Sequence, residues 1–131
     1  SKFTKKMLAY LTTHPELFGT GSQFTAFTAI AALPPRARAA VGADLVKEYY
    51  AEEATKVSAP VQKFLARHGI EPKIEYKVGH AGELIAKVAK EGDYDLVMMG
   101  SHGHSALGNL VMGSVATQVL AHCSVPVLMV R

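Results

Sequence analysis

Helical and strand-like segments alternate along this chain, and that alternation limits its fold more than any other feature of the sequence. Apolar residues recur at helical spacing in some segments, and the segments between them carry short apolar runs bounded by turn-forming residues. The helices are predicted at 3–11, 43–68, 83–90 and 114–122, and the strands at 23–33, 73–78, 94–99 and 125–130. We therefore predict an α/β fold, with an open parallel sheet and helices on both of its faces.

The composition predicts a single globular domain that spans residues 1–131. Of these residues 49% are apolar and 19% are charged, so the chain has enough apolar surface for a core and too little charge for disorder. Residues 36–42 are expected to form a loop or a ragged helix start. Pro60 is expected to kink or divide the long helix, and Gly69 is expected to end it.

Charge and hydropathy argue against several classes of partner. The net charge of +3 is dispersed, and the densest basic group (Lys2, Lys5 and Lys6) is typical of the solvated face of a helix. No aromatic-studded basic strand accompanies it, so we expect no nucleic-acid partner. The longest apolar run, 24–33, is too short to span a membrane, and no signal peptide is visible. We therefore expect a soluble cytoplasmic protein with no membrane partner and, at Cys123, a buried structural thiol.

The stretch Gly100–Val115, GSHGHSALGNLVMGSV, carries the strongest functional signal because it joins a predicted buried strand to a predicted helix. Glycine lets a backbone approach an anion closely, and the free N–H groups and dipole of a helix start attract that anion. We predict a short helical turn at 107–112 and a main helix with Ser114 as its N-cap. Two alternatives stay open. One is an unbroken helix with Gly113 inside it, at a cost of about 1 kcal/mol, and the other is a bend that binds nothing.

The spacing G-x2-G-x9-G-S, formed by Gly100, Gly103, Gly113 and Ser114, resembles the nucleotide motif of the universal stress protein family. The resemblance continues to the end of the chain, and upstream the order of elements agrees with fewer distinctive residues. Because every motif position is kept, the resemblance implies the branch of the family that binds ATP. Magnesium would accompany the triphosphate and be bound mainly by its oxygens.

The resemblance also implies a set of nucleotide-contacting residues. The phosphates are expected on the Ser114 hydroxyl and on the backbone N–H groups of Gly103, Gly113, Ser114 and Val115. Gly100 would pass beneath the ribose, and by resemblance the backbone near Ala31 would hold the adenine. One of His102 and His104 is expected to contact phosphate. Two histidines without a carboxylate or thiol partner predict no metal site. The candidate cofactor-binding residues are Ala31, Gly100, Ser101, His102, Gly103, Gly113, Ser114 and Val115.

The start of the chain departs from the family's pattern. A Rossmann-like sheet of this family has the strand order 3-2-1-4-5, and its first, central strand precedes the first helix. This sequence begins with the helix and with serine. We therefore expect the domain to be N-terminally incomplete, lacking about ten to fifteen residues that form one strand and its turn.

The function implied by the resemblance is that of an ATP-binding stress-response or regulatory protein whose conformation or partner choice follows its ATP state. No nucleophile-and-base pair can be identified, so we predict no catalytic residue and no enzyme activity beyond weak ATP hydrolysis. The alternatives are an adenine-nucleotide hydrolase and a dimeric scaffold of the same fold that binds no nucleotide. The last strand, 125–130, is apolar and would form a sheet edge, which predicts a homodimer through antiparallel pairing of this strand.

Overall fold

The computed structural model describes residues 2–18, 21–102 and 112–131. A one-turn 3₁₀ helix at Pro15–Leu17 follows the first α-helix. The α-helices are α1 (Lys2–Thr13), α2 (Pro35–Val41), α3 (Ala43–Arg67), α4 (Ala81–Glu91) and α5 (Ser114–His122). The strands are β1 (Thr25–Ile30), β2 (Lys73–Val78), β3 (Val97–Gly100) and β4 (Val127–Val130).

The described strands form two parallel pairs, which confirms the α/β prediction. β1 pairs with β2 from Thr25↔Lys73 to Ile30↔Val78, and β3 pairs with β4 from Val97↔Val127 to Gly100↔Val130. The family's order counts one strand before the first helix, so β1 to β4 correspond to its strands 2 to 5. The pairs β1–β2 and β3–β4 are then the neighbours 3-2 and 4-5 of the order 3-2-1-4-5.

The chain divides into two compact units, one formed by residues 1–22 with 82–131 and the other by residues 23–81. We call them the β3–β4 unit and the β1–β2 unit. The single-domain expectation stays a prediction.

In the β1–β2 unit, α3 packs on both strands and α2 packs on α3. Val46, Ala54 and Leu65 lie in the core of this unit. Pro60 was predicted to kink or divide the long helix; it does not divide it, because α3 is one helix of 25 residues, and the kink stays a prediction. Pro60 is exposed, so water can bond the carbonyl that lacks its helical donor there, and buried residues on both sides of it keep the helix packed.

Residues 35–41 form the helix α2, where the sequence predicted only a loop or a ragged helix start. Pro35 is at the start of this helix, where its missing N–H costs nothing and its fixed φ suits the first turn. Gly42, with φ of 94°, separates α2 from α3.

The end of α3 confirms the prediction for Gly69. Gly69 has φ of 75°, a left-handed conformation that glycine adopts without strain. Its N–H donates to the Ala66 carbonyl at 3.1 Å, and the Ile70 N–H donates to the Leu65 carbonyl at 2.9 Å. These two bonds form a Schellman cap, which satisfies carbonyls at the helix end.

In the β3–β4 unit, α1 packs on both strands and buries Leu8 and Leu11. Helix α5 buries Val119 completely. Helix α4 approaches α5 at Gly82, where a β-carbon would overlap the side chain of Gln118. Among the residues that the structure describes, no helix is both long and apolar enough to cross a bilayer.

Three side chains near helix ends donate hydrogen bonds to backbone carbonyls. His14 and His68 each donate an Nδ1–H to the carbonyl of the residue four positions earlier, at 3.0 Å in both cases. Both rings therefore bond carbonyls of their own helix near its C-terminal end. Cys123 is half-buried rather than fully buried, because it caps the end of α5, and its thiol donates to the Val125 carbonyl at 3.5 Å.

Helix α4 ends with the same bond pattern as α3 but with aspartate in the left-handed position. Asp93 has φ of 52°. The Tyr94 N–H donates to the Ala89 carbonyl at 3.1 Å, and the Asp93 N–H donates to the Lys90 carbonyl at 3.3 Å. A β-carbon in this conformation is strained, and a carboxylate also opposes the dipole at a helix C-terminus.

We expect the variant Asp93→Gly to be more stable than the wild type by about 0.5–1 kcal/mol, because glycine removes the strain. Urea denaturation would show this as a higher midpoint with an unchanged slope. Asp95→Gly is the control, since Asp95 does not have positive φ and its replacement should not stabilise the chain. A lower midpoint for Asp93→Gly would contradict the assignment of Asp93 as the cap residue.

Candidate functional site

The site begins where β3 ends. This strand occupies Val97–Gly100, so it starts three residues later and ends one residue later than the sequence predicted. Gly100 pairs with Val130 in the ladder. The glycine that opens the motif is therefore fixed as the last residue of the strand.

Ser101 links three elements through its backbone. Its N–H donates to the Val130 carbonyl at 2.9 Å, and its carbonyl accepts the Gly113 N–H at 2.7 Å. Its side chain is fully buried, and Oγ shares a hydrogen bond of 2.9 Å with His102 Nδ1. Ser101 thus ties the ends of β3 and β4 to the start of α5, a role that sequence reasoning missed because its partners are distant in the chain.

Gly113, and not Ser114, is the N-cap of α5, so the predicted N-cap is wrong. Gly113 has φ of −76° and ψ of 167°. Its carbonyl already accepts the first helical bond, from the Thr117 N–H at 3.1 Å. The bond from its N–H to Ser101 holds it in this extended conformation. This N–H was also predicted to donate to phosphate; in this structure it already has an acceptor, the Ser101 carbonyl, and its contact with phosphate stays a prediction.

The amides of Ser114 and Val115 are in the first turn of α5, where helical N–H groups have no intrahelical acceptor. Within 2–18, 21–102 and 112–131, neither amide has a hydrogen-bond acceptor. Ser114 is also exposed. The positive end of the helix dipole adds to these donors, so the start of α5 can bind an anion.

The structure describes only some of the other predicted site residues. Gly103, His104 and residues 107–111 of the predicted helical turn lie outside the described residues. His102 is half-buried beside Ser101. Ala31 is exposed directly after β1, within the β1–β2 unit. The nucleotide contacts expected of these residues stay predictions.

Metal-ligating side chains do not cluster in the described part of the chain. No group of three or more histidine, cysteine, aspartate or glutamate residues there could hold a metal ion.

Parallel strand pairs covered by helices define an α/β protein, and a helix with a glycine N-cap follows the end of β3. Comparison with known proteins gives a narrower result. The model of the universal stress protein family matches residues 20–131. The chain belongs to the universal stress protein family.

Curated relatives share parts of the sequence. Universal stress protein Slr1230 of Synechocystis is 43% identical over 70 residues, which are 53% of this chain and 24% of that protein. Universal stress protein MJ0577 of Methanocaldococcus jannaschii is 34% identical over 86 residues, which are 66% of this chain and 53% of that protein. The matched residues thus span about a quarter of the length of Slr1230 and about half of the length of MJ0577.

Solved structures share the fold. The structure of MJ0577 matches with a TM-score of 0.75 and 25% sequence identity. The match covers 99% of this chain and 88% of the MJ0577 chain. The Archaeoglobus fulgidus universal stress protein in complex with dAMP has a TM-score of 0.66 and 17% identity, with coverages of 100% and 90%. A universal stress protein in complex with cAMP has a TM-score of 0.53 and 16% identity, with coverages of 97% and 85%.

We expect Ser101→Ala to reduce the free energy of unfolding by about 1 kcal/mol, because it removes a buried hydroxyl that bonds the His102 ring. Chemical denaturation would measure the loss. Ser124→Ala is the matched control, since Ser124 is exposed and its replacement should be neutral within about 0.5 kcal/mol. Equal stability of Ser101→Ala and Ser124→Ala would show that the Ser101 hydroxyl does not hold the site together.

Proposed function

We propose that this chain binds an adenine nucleotide, ATP with Mg²⁺, at the segment 100–115, and that it acts as a stress-response or regulatory protein in the cytoplasm. Its ATP state would set its conformation or its choice of partner. One observation carries the proposal. The N–H groups of Ser114 and Val115 have no acceptor among the described residues, and they directly follow the last glycine of a complete nucleotide motif.

The structure narrows the roles within this motif. The Gly113 N–H is used internally, so the phosphates would be bound by the amides of Ser114 and Val115 and by the Ser114 hydroxyl. Gly113 would contribute through the absence of a side chain, which lets a phosphate approach the entrance of α5. The triphosphate oxygens would bind Mg²⁺.

Adenine nucleotides are favoured over other phosphate ligands by the solved relatives. Two of those proteins were solved in complex with dAMP and with cAMP. Both have less than 20% sequence identity to this chain, so they support the class of ligand and not ATP in particular. The specific choice of ATP rests on the motif spacing.

We expect binding without efficient turnover. The adjacent Ser101 and His102 are hydrogen-bonded, but the Ser101 side chain has no exposed surface and cannot reach a substrate as a nucleophile. Phosphate release at the rate of the uncatalysed reaction, measured with saturating Mg-ATP, is the expected result. Multiple turnovers that Ser114→Ala abolishes would instead favour the hydrolase alternative.

The proposal is tested by calorimetric titration of Mg-ATP into the wild type and Gly113→Val. The backbone at Gly113 is in a region that any residue adopts, so valine adds bulk without backbone strain. We expect at least about tenfold weaker binding, which is 1.4 kcal/mol. Thr117→Ala is the control for altered α5 stability, because it removes a bond to the Gly113 carbonyl one turn away and should keep the wild-type affinity. Equal affinity of the wild type and Gly113→Val would contradict the role of the motif.

We also propose that the protein forms a homodimer through antiparallel pairing of the last strand. Among the described strands, β4 pairs only with β3. The Pro126 carbonyl accepts a bond from Val97 of β3, and the Val130 carbonyl accepts one from Ser101, directly after β3. Strand alternation therefore directs the N–H groups of Val127 and Met129 to the opposite edge. An apolar edge of this kind is a ready site for pairing with a second chain.

We expect Met129→Pro to give a monomer in sedimentation at micromolar concentration, while the wild type sediments as a dimer. Proline removes one outer-edge donor and leaves the bonds between β3 and β4 in place. Leu128→Pro is the contrast, since it disrupts the ladder to β3 and should destabilise the fold. A monomeric wild type, or a dimer that Met129→Pro leaves intact, would contradict pairing through β4.

A further inference from the structure

A groove with a basic rim lies between α2 and α3, within the β1–β2 unit. The volume of this open groove is about 560 Å³. Its walls come from both helices, and together they form what we call the α2–α3 groove, lined by Pro35, Arg38, Ala39, Ala43, Val46, Lys47 and Tyr50.

The floor of the α2–α3 groove is apolar and held in place. Val46 is buried, and Tyr50 is half-buried. The Tyr50 hydroxyl accepts the Leu33 N–H at 2.9 Å, which fixes the position of the ring. Small side chains at Ala39 and Ala43 leave room above this floor for an incoming apolar group.

The charges of the α2–α3 groove have one sign. Arg38 is on α2 and Lys47 is on α3, and no lining residue is acidic. Within the described part of the chain, neither cation has a carboxylate oxygen within 4.0 Å. Asp44 and Glu48 neighbour the groove along α3 and are exposed, but they do not line it. The groove therefore complements an anion that also carries an apolar group.

The shape of the α2–α3 groove favours a segment of a protein over a small molecule. Small-molecule sites bury most of the ligand, whereas Pro35, Ala39 and Ala43 are exposed, as are both cations. The groove extends along about two turns of α3, or roughly 10 Å, which is the length of about three extended residues. A peptide can lie across so shallow a surface because the rest of its own protein covers it.

We propose that the α2–α3 groove binds a short acidic segment of a partner protein, with an apolar side chain on the Val46–Tyr50 floor and flanking carboxylates on Arg38 and Lys47. This surface lies wholly within residues 35–50 and does not depend on nucleotide binding. It supplies a docking site for a regulatory protein even if the segment 100–115 binds no nucleotide.

The probe is the blocked peptide Asp-Glu-Leu-Glu-Asp, titrated into the ¹⁵N-labelled chain and followed by amide chemical shifts. We expect shifts confined to residues 33–50, which include the Leu33 amide bonded to Tyr50, with a Kd below about 0.5 mM that rises severalfold in high salt. The charge reversal Arg38→Glu with Lys47→Glu should weaken binding at least tenfold, and the neutral pair Arg38→Gln with Lys47→Gln should give an intermediate value.

Arg36→Glu with Lys63→Glu is the matched control, because it makes the same change in net charge on the same two helices outside the groove. This variant should bind within about twofold of the wild type, and a peptide with Ser in place of Leu should bind more weakly. Three outcomes would overturn the proposal: no binding of the peptide, an equal loss of affinity in the control variant, and chemical-shift changes outside residues 33–50. It would also be overturned if Mg-ATP alone occupied the groove, or if sedimentation showed that a second copy of this chain does.

Discussion

The hydrogen bond from the Gly113 N–H to the Ser101 carbonyl, 2.7 Å long, is the contact on which the candidate site depends. It joins the end of β3 to the start of α5 across eleven intervening residues. Ser101 is itself held by the Val130 carbonyl, so the bond connects α5 to the β3–β4 ladder. With Gly113 fixed as the N-cap, the next two amides lie at the helix entrance, where they can bind an anion.

The residues of the glycine motif have two different roles, one in the backbone structure and one in the proposed binding of a ligand. Gly100 and Gly113 serve as backbone positions at the ends of the ladder and at the helix cap. In the proposed function, the ligand is bound by the residues after the last glycine, Ser114 and Val115. A buried serine side chain between the glycines completes the support, because its hydroxyl bonds the neighbouring histidine.

Much of the fold could be predicted from local patterns. The strand Lys73–Val78 was predicted with the bounds that the structure gives, because apolar and polar residues alternate along it. The end of α3 followed from Gly69, whose left-handed conformation is a local property. By contrast, β3 is displaced from its prediction because ladder partners in β4, and not the apolar run itself, determine where a strand begins.

The candidate site was less predictable from the sequence, because it also depends on contacts between residues that are distant in the chain. Ser114 is a better N-cap by propensity than many residues, yet Gly113 takes that position because its N–H finds an acceptor twelve residues earlier. No pattern in the sequence reports such a contact. The basic α2–α3 groove was missed for a related reason, since residues 36–42 did not predict a helix to form its second wall.

The most direct measurement follows individual amides while Mg-ATP is added to the ¹⁵N-labelled chain. We expect large chemical-shift changes and slower hydrogen exchange for the amides of Ser114 and Val115. The Gly113 amide should be protected from exchange before and after the addition, because its acceptor is Ser101 in both states. Two results would contradict phosphate binding at the start of α5: saturable ATP binding that leaves the Ser114 and Val115 amides unchanged, and saturable ATP binding that releases the Gly113 amide to exchange.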